Sequence, residues 1–369
     1  MRKPKLLTIV GTRPEIIRLS RLIPLLDNHA NHVFIHTGQN NDPLLSDVFF
    51  EELNVREPDY YFGIDNSTLG SSMANVLLET EKVLQLENPD AVLILGDTNS
   101  SIAALVAERM GIKVFHMEAG NRSFDRRVPE EINRKVVDHV STFNLPYSEQ
   151  ARMNLIAEGI HPRFIYKTGS PMREVFDHYE KSILKSKIMG TLGLVREQYF
   201  LVSIHRAENV DDQNSLLSVL ECLSAVHRHW GLPIVVSTHP RTKARLAQIK
   251  WKPEEGIILH EPFGFFDYAN LQKNSICVIS DSGTVSEESA VFGFRAVTLR
   301  ESMERPEALE AGSVYLSGLG PDQLVLAISV TLKLEMPDRL PDDYVPRDFS
   351  NRVAKYILST VARKMLSVS

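Results

Sequence analysis

Ala91-Val92-Leu93-Ile94-Leu95-Gly96-Asp97 is an unbroken apolar run that ends on a glycine and an acidic residue. A strand reads this way when helices cover both faces of its sheet and neither side calls for polar residues. The pattern recurs on either side. Residues 6–10, 33–36, 114–117, 143–146 and 164–168 read as further strands, and 15–26, 67–86, 100–110 and 149–158 carry apolar residues at helical spacing. Strands alternating with helices predict a doubly wound parallel sheet. The alternation pauses at Gly169-Ser170-Pro171 and a charged helical stretch at 174–187. It then restarts with strands at 199–204, 234–237, 257–260, 276–280 and 296–299, and helices between them at 215–229, 242–249, 266–273, 285–292 and 321–334. The expected architecture is α/β, with two Rossmann-like doubly wound domains. Residues 1–170 form the first, together with a returning C-terminal segment 350–369 that is helical to 366, and residues 171–349 form the second.

Composition narrows the function classes. At 369 residues and 43% hydrophobic, the chain can bury two cores of ordinary size. Acidic residues number 47 against 41 basic, well mixed, for a net charge of -6, so nothing draws the chain toward nucleic acid or an anionic membrane. An anionic ligand must therefore be held by a local site. No apolar window approaches bilayer length, and Met1-Arg2-Lys3 leads straight into a strand without the features of a secretory leader. Neither membrane insertion nor export is expected, and the expected location is the cytoplasm. Cys222 and Cys277 supply neither a disulfide framework nor a CxxC pair, and both are expected in the core.

In open α/β sheets, ligands bind beyond the carboxyl ends of the strands. Arg13, Asp97 and Glu118 follow strands of the first half, and His205, His239 and Asp281 follow strands of the second. That coherence points to a cleft between two domains as the functional site. Glu118 is followed by Glu130 and Glu131 in a short stretch that reads as irregular chain, so several carboxylates gather near Asp97. A carboxylate held near another is harder to ionise, which lets one serve as acid while its neighbour serves as base. Surface salt bridging with Arg122, Arg126, Arg127 and Arg134 is the alternative for this stretch.

Gly11-Thr12-Arg13-Pro14-Glu15 opens a helix after a strand, where free backbone N–H groups and Arg13 suit an anion; a tight turn capped by Glu15 accounts for it equally. It is neither a GxGxxG fingerprint nor a Walker loop. Asp281-Ser282-Gly283-Thr284-Val285-Ser286-Glu287-Glu288 opens another helix, with small residues that admit a diphosphate and two acids one turn on; an ordinary N-capped helix is the alternative. His205-Arg206 and His239-Pro240-Arg241 put a histidine and an arginine at each of two strand ends, which suits anion binding. Glu304-Arg305-Pro306-Glu307 reads as a charged loop near the cleft or as a solvated cluster. His227 and His229, two apart on a helix, make a poor metal pair, and no metal site is expected.

Gly11 to Glu15, Gly96-Asp97-Thr98, Glu118-Ala119-Gly120, Pro129-Glu130-Glu131, His205-Arg206-Ala207-Glu208-Asn209, Asp281 to Glu288 and Glu304 to Glu307, in that order along nearly the whole chain, resemble the UDP-N-acetylglucosamine 2-epimerase family. The resemblance implies a GT-B fold with a cleft between two Rossmann-like domains. It also implies a homodimer, a UDP-sugar substrate and no metal or nicotinamide cofactor. It assigns acid/base work to Asp97, Glu118 and Glu130, and stabilisation of the departing diphosphate to His205. Arg13, Arg18, His239, Ser282, Gly283, Glu287, Glu288 and Arg305 would bind the UDP-sugar.

Within the family, Gly120-Asn121-Arg122-Ser123-Phe124-Asp125-Arg126-Arg127-Val128-Pro129-Glu130 is similar to the branch that forms UDP-N-acetyl-L-fucosamine from the L-talo epimer. Arg18 stands where many members have lysine, and Gln39-Asn40 where allosterically regulated members have Gln-His. Regulation by a second UDP-N-acetylglucosamine is therefore not expected. A UDP-N-acetylglucosamine/UDP-N-acetylmannosamine 2-epimerase, a glycosyltransferase, a hydrolysing epimerase and a non-catalytic nucleotide-sugar sensor are the competing functions.

Overall fold

The computed structural model describes residues 2–39, 43–126, 128–300, 303 and 305–362. Asn40, Arg127 and Glu304 of the motifs above lie outside them, as does the expected final helix beyond residue 362. The chain divides into two compact units, Met1–Val175 with Pro346–Ser369, and Phe176–Val345.

In the first unit the strands are β1 Lys5–Val10, β2 Asn31–His36, β3 Tyr60–Tyr61, β4 Ala91–Leu95, β5 Lys113–Met117 and β6 Phe143–Leu145. Its helices are α1 Arg13–Leu19, α2 Ile23–His29, α3 Pro43–Glu52, α4 Leu69–Glu87, α5 Ala103–Arg109, α6 Glu130–Val140 and α7 Glu149–Ala157, and the division between the units falls inside α8 Met172–Leu184. The second unit has β7 Phe200–Ser203, β8 Ile234–Ser237, β9 Ile257–His260, β10 Cys277–Ser280, β11 Ala296–Thr298 and β12 Val314–Leu316. Its helices are α9 Ile188–Thr191, α10 Ala207–Val210, α11 Gln213–Trp230, α12 Pro240–Gln248, α13 Phe265–Asn274, α14 Val285–Phe292, α15 Glu307–Glu310 and α16 Pro321–Lys333. The last helix, α17 Phe349–Ala362, belongs to the first unit, where Tyr356 stacks on Tyr166 at 4.0 Å.

The sheets run β3-β2-β1-β4-β5-β6 and β12-β11-β10-β7-β8-β9, parallel throughout. Each reverses its direction of growth once, between β1 and β4 in the first and between β7 and β10 in the second. There the flanking helices leave on opposite faces and open a crevice at the carboxyl edge. All five residues of β4 are buried, as a strand covered on both sides must be. Leu7, Ile9, Ile35, Val92, Ile94 and Val114 centre one core, and Phe200, Val202, Ile234, Ile279 and Val297 the other. Cys222 and Cys277 are free and buried, and burial pushes their thiols up to about 11 and about 12.

Four expectations need correction. The helix expected over 15–26 is two helices, because Pro24 has no N–H to donate back to Ser20, so the first ends and α2 begins with the proline in its first turn. Residues 164–168 are not a strand. Ile165 makes a single bridge to Asn144, and Tyr166 and Thr168 donate to Asn144 and Pro146, but no ladder forms. Glu130 and Glu131, expected in irregular chain, occupy the first turn of α6, where negative charge complements the helix dipole. The edge strands β3 and β12 were not anticipated, since two or three residues are too few to show an alternation.

Candidate functional site

In the first unit, the loops that leave β1 and β4 meet where the strand order reverses. Gly11 lets them close: a Cβ there would lie 1.9 Å from Ser100 Oγ and 2.5 Å from Thr37 Oγ1. Glu15, buried one turn into α1, joins the two loops. Its Oε2 accepts from Gly11 N at 2.5 Å and Thr12 N at 3.3 Å, and its Oε1 from Thr12 Oγ1 at 3.0 Å and Thr98 Oγ1 at 2.9 Å. Burial pushes this carboxyl up to about 7, opposed by the hydrogen bonds from Gly11, Thr98 and Thr12. Arg13, the first residue of α1, places its guanidinium over the Phe49 ring at 5.4 Å.

Asp97 stands two residues beyond β4 and is gripped from α6. Arg134 Nε and Nη2 each lie 2.7 Å from Asp97 Oδ2, and Asn133 Nδ2 donates to the Asp97 carbonyl at 2.9 Å. Arg134 Nη1 lies 3.1 Å from Glu131 Oε2, and Glu131 also accepts from Ser123 N, Ser123 Oγ and Phe124 N. Glu131 thus ties down the loop between β5 and α6. Glu130 sits one turn before Arg134, so both lie on the same face of α6.

Glu118 is the first residue beyond β5, the strand next to β4. Its backbone is left-handed at φ +64, and its N–H donates to Leu145 O at 3.1 Å. Arg18 Nη1 lies 3.0 Å from Glu118 Oε2, and the same guanidinium lies 5.4 Å from the centre of the Tyr147 ring. Beneath this edge, buried Asp138 lies 2.8 Å from His116 Nδ1 and 2.7 Å from Arg122 Nη1, and accepts from Gly120 N. His116 Nε2 bonds Gly96 O at 2.8 Å. Asp138 raises the His116 pKa against burial, and His116 followed by Arg122 lowers that of Asp138 against the same penalty.

In the second unit, buried Asp281, directly after β10, accepts from His205 N, Arg206 N and Asn209 Nδ2, all between 3.0 and 3.1 Å, and lies 3.5 Å from His205 Nδ1. His205 follows β7, so Asp281 joins the loops of this sheet's reversal just as Glu15 joins those of the other. The His205 and His239 rings lie 5.8 Å apart, and His239 caps α12 by accepting from Arg241 N at 3.2 Å. Ser282 and Gly283 precede α14, and Ser282 Oγ lies 3.0 Å from Thr284 Oγ1. Arg305 Nη1 donates to Gly283 O at 3.2 Å and to buried Glu287 Oε2 at 2.6 Å, so the expected charged loop is anchored inward at this residue. Glu288 accepts from Gln272 at 2.6 Å.

The structure therefore gathers Asp97, Glu118, Glu130, Arg13 and Arg18 at the carboxyl edge of one sheet. His205, His239, Ser282, Gly283, Glu287, Glu288 and Arg305 lie at or beside that edge of the other. Among the described residues, no group of three or more histidine, cysteine or carboxylate side chains could hold a metal ion, and no helix is long and apolar enough to cross a membrane. The grip of Arg134 on Asp97, the place of Asp138 and the bridging role of Glu15 escaped the sequence. Thr12-Arg13-Pro14-Glu15 does carry the spacing of a capping box, which pointed to the turn but not to Thr98.

A family model described as UDP-N-acetylglucosamine 2-epimerase matches residues 26–358. A UDP-N-acetylglucosamine 2-epimerase of Methanocaldococcus jannaschii is 38% identical over 337 residues, covering 89% of this chain and 92% of the relative. A UDP-2,3-diacetamido-2,3-dideoxy-D-glucuronate 2-epimerase of Pseudomonas aeruginosa is 34% identical, covering 96% and 99%. The crystal structure of the M. jannaschii UDP-GlcNAc 2-epimerase in complex with UDP-GlcNAc and UDP superposes with a TM-score of 0.91 at 36% identity, covering 96% and 99%. The fold is of the GT-B class.

Proposed function

The chain belongs to the UDP-N-acetylglucosamine 2-epimerase family and is an isomerase, and we propose that it inverts C2 of a UDP-2-acetamido sugar without hydrolysis, by eliminating UDP and adding it back. The observation that carries this reading is the pair of acid–guanidinium grips just beyond the ends of neighbouring strands, Arg134 on Asp97 and Arg18 on Glu118, with Glu130 on the helix face that bears Arg134.

The chemistry explains why such a set is needed. The C2 proton of a 2-acetamido sugar is not adjacent to a carbonyl carbon, so direct removal leaves an unstabilised carbanion. When the C1–O bond breaks first, C1 gains oxocarbenium character and the C2 proton becomes acidic. A base takes that proton, the C–H electron pair becomes the C1–C2 double bond of a glycal, and UDP leaves with the C1–O pair. Return of a proton to the opposite face of C2 and of UDP to C1 gives the epimer. One group removes a proton on one face and another delivers one on the other, the task assigned to Asp97, Glu118 and Glu130.

His205, Arg13 and the Ser282-Gly283 start of α14 are assigned to the charge on the departing diphosphate, which preorganised donors stabilise without reorganising. Arg18 and His239 support the same substrate, Glu288 accepts from the ribose, and Glu287 with Arg305 holds the helix start in place. Cytoplasmic location and a homodimer belong to the same reading.

For the sugar, the proposed substrate is UDP-2-acetamido-2,6-dideoxy-L-talose, converted to UDP-N-acetyl-L-fucosamine; the support is the Asn121-Arg122 segment. The identity to the M. jannaschii protein favours a second reading, interconversion of UDP-N-acetylglucosamine and UDP-N-acetylmannosamine. A panel of UDP-2-acetamido sugars incubated in heavy water and followed by NMR of the ring tests both. One solvent deuteron at C2 of the epimerised product is expected. Product that keeps only its original hydrogen rejects elimination and re-addition, release of free sugar with UDP points to hydrolysis, and transfer to an acceptor points to a glycosyltransferase.

A further inference from the structure

Glu15 is not among the residues assigned to proton exchange at C2, yet it is a buried carboxylate surrounded by donors at the strand reversal of the first unit. Its two oxygens divide the work. Oε2 faces the backbone N–H groups of Gly11 and Thr12, and Oε1 faces the hydroxyls of Thr12 and Thr98. The 2.9 Å bond to Thr98 connects α1 to the loop beyond β4, and Thr98 is the residue directly after Asp97. Arg134 holds the Asp97 carboxylate from one side, but it cannot fix the direction in which the backbone presents it. The Glu15–Thr98 bond acts on that backbone.

A bystander would not be built this way. Burial pushes its carboxyl up to about 7, so ionising it here carries a desolvation penalty that an apolar or amide side chain would avoid. A purely structural bridge needs no charge. An ionised carboxylate, however, accepts from all these donors at once and leaves neither hydroxyl free to turn.

We propose that Glu15 is a positioning residue for Asp97, acting through the Thr98 hydroxyl to fix how the loop beyond β4 presents that carboxylate. The inference rests on the acid/base role proposed for Asp97. It names a residue that touches no substrate.

Thr98→Val gives the cleanest test, because it keeps the β-branched shape and removes only the hydroxyl that bonds Glu15. With the UDP-2-acetamido sugar that the wild-type chain turns over, Thr98→Val is expected to lower kcat at least tenfold and leave KM within threefold. Thr98→Ser, which restores the hydroxyl, is expected to recover most of the loss. Adding Thr98→Val to Glu15→Ala should cost no further activity, since the bond is already gone. Wild-type kcat in Thr98→Val, or losses that multiply in the double variant, overturns the proposal.

Amide hydrogen exchange gives a readout that needs no turnover. Ser101 N donates to Thr98 O and Ser100 N to Gln39 Oε1, so both amides report on this loop. Faster exchange at Ser100 and Ser101 is expected in Thr98→Val and Glu15→Ala, with Thr98→Ser near wild type. Exchange unchanged by Thr98→Val overturns the bridge even if the chain proves to act on another substrate. Altered exchange without epimerisation by the wild type would count against the proposed function alone.

Discussion

Arg18 Nη1 lies 3.0 Å from Glu118 Oε2, and both side chains are largely withdrawn from water. A pair in such a place keeps the carboxylate aimed, whereas removing one partner strands the other. Glu118→Gln keeps the shape and removes the proton acceptor, so the expected result is a folded protein with turnover reduced at least about a hundredfold. Circular dichroism with a kcat measurement checks it; near-wild-type turnover removes Glu118 from the acid/base set.

Arg134 reaches Asp97 with two nitrogens, each at 2.7 Å, a fork that lysine cannot reproduce. Arg134→Lys should lower kcat by roughly ten- to a hundredfold through misplacement of Asp97. Because Arg134 also contacts Glu131, a modest loss of thermal stability should accompany it. Steady-state kinetics that show only a raised KM would contradict the positioning role.

Glu15→Gln separates stability from activity. Burial pushes the folded carboxyl up to about 7 from its ordinary 4.5, so the native state holds its proton to higher pH than the unfolded chain does. The burial penalty is absent below about pH 4.5 and grows until the folded group is ionised above about pH 7, where it reaches roughly 3 kcal/mol. Glutamine avoids that penalty. At pH 8 the variant should therefore melt at a higher temperature than the wild type, and the difference should vanish near pH 4.5. Thermal scans across this range decide it, and a constant offset at every pH would refute the assignment.

Asp138 holds His116 and Arg122 at once, with no exposure of its own. Asp138→Asn strips buried Arg122 of a counter-charge and His116 of its carboxylate partner, and should cost about 3–5 kcal/mol. That corresponds to a fall of roughly 10 °C in Tm. A stability change under about 1 kcal/mol would mean that Glu158, which grips Arg122 at 2.8 and 2.6 Å, compensates almost fully.

How much of this was legible in the sequence depended on how each residue advertises itself. Residues 6–10, 91–95 and 114–117 were readable as strands because burial on both faces leaves an apolar run with a sharp end, and Asp97 and Glu118 were visible as the polar residues at those ends. Residues 15–26 showed one helical period, and Pro24 was the only local sign that two helices share it. Glu130 stood out as an acid but not as the opening turn of a helix, since Ser123 to Pro129 carries no apolar rhythm. Asp138 was invisible: one aspartate on a helix looks the same whether it faces water or three buried donors. Arg134 was noted only as a nearby cation, because the bond to Asp97 spans 37 residues and no local pattern encodes it.

Glu118 adopts φ +64, a region that glycine enters freely, asparagine and aspartate tolerate, and most other side chains avoid. Glycine or asparagine would relax the chain there but take Glu118 away from the buried guanidinium of Arg18, which costs more than the relief returns. Screens of that single codon for heat resistance and for turnover should therefore both return glutamate, contorted peptide included.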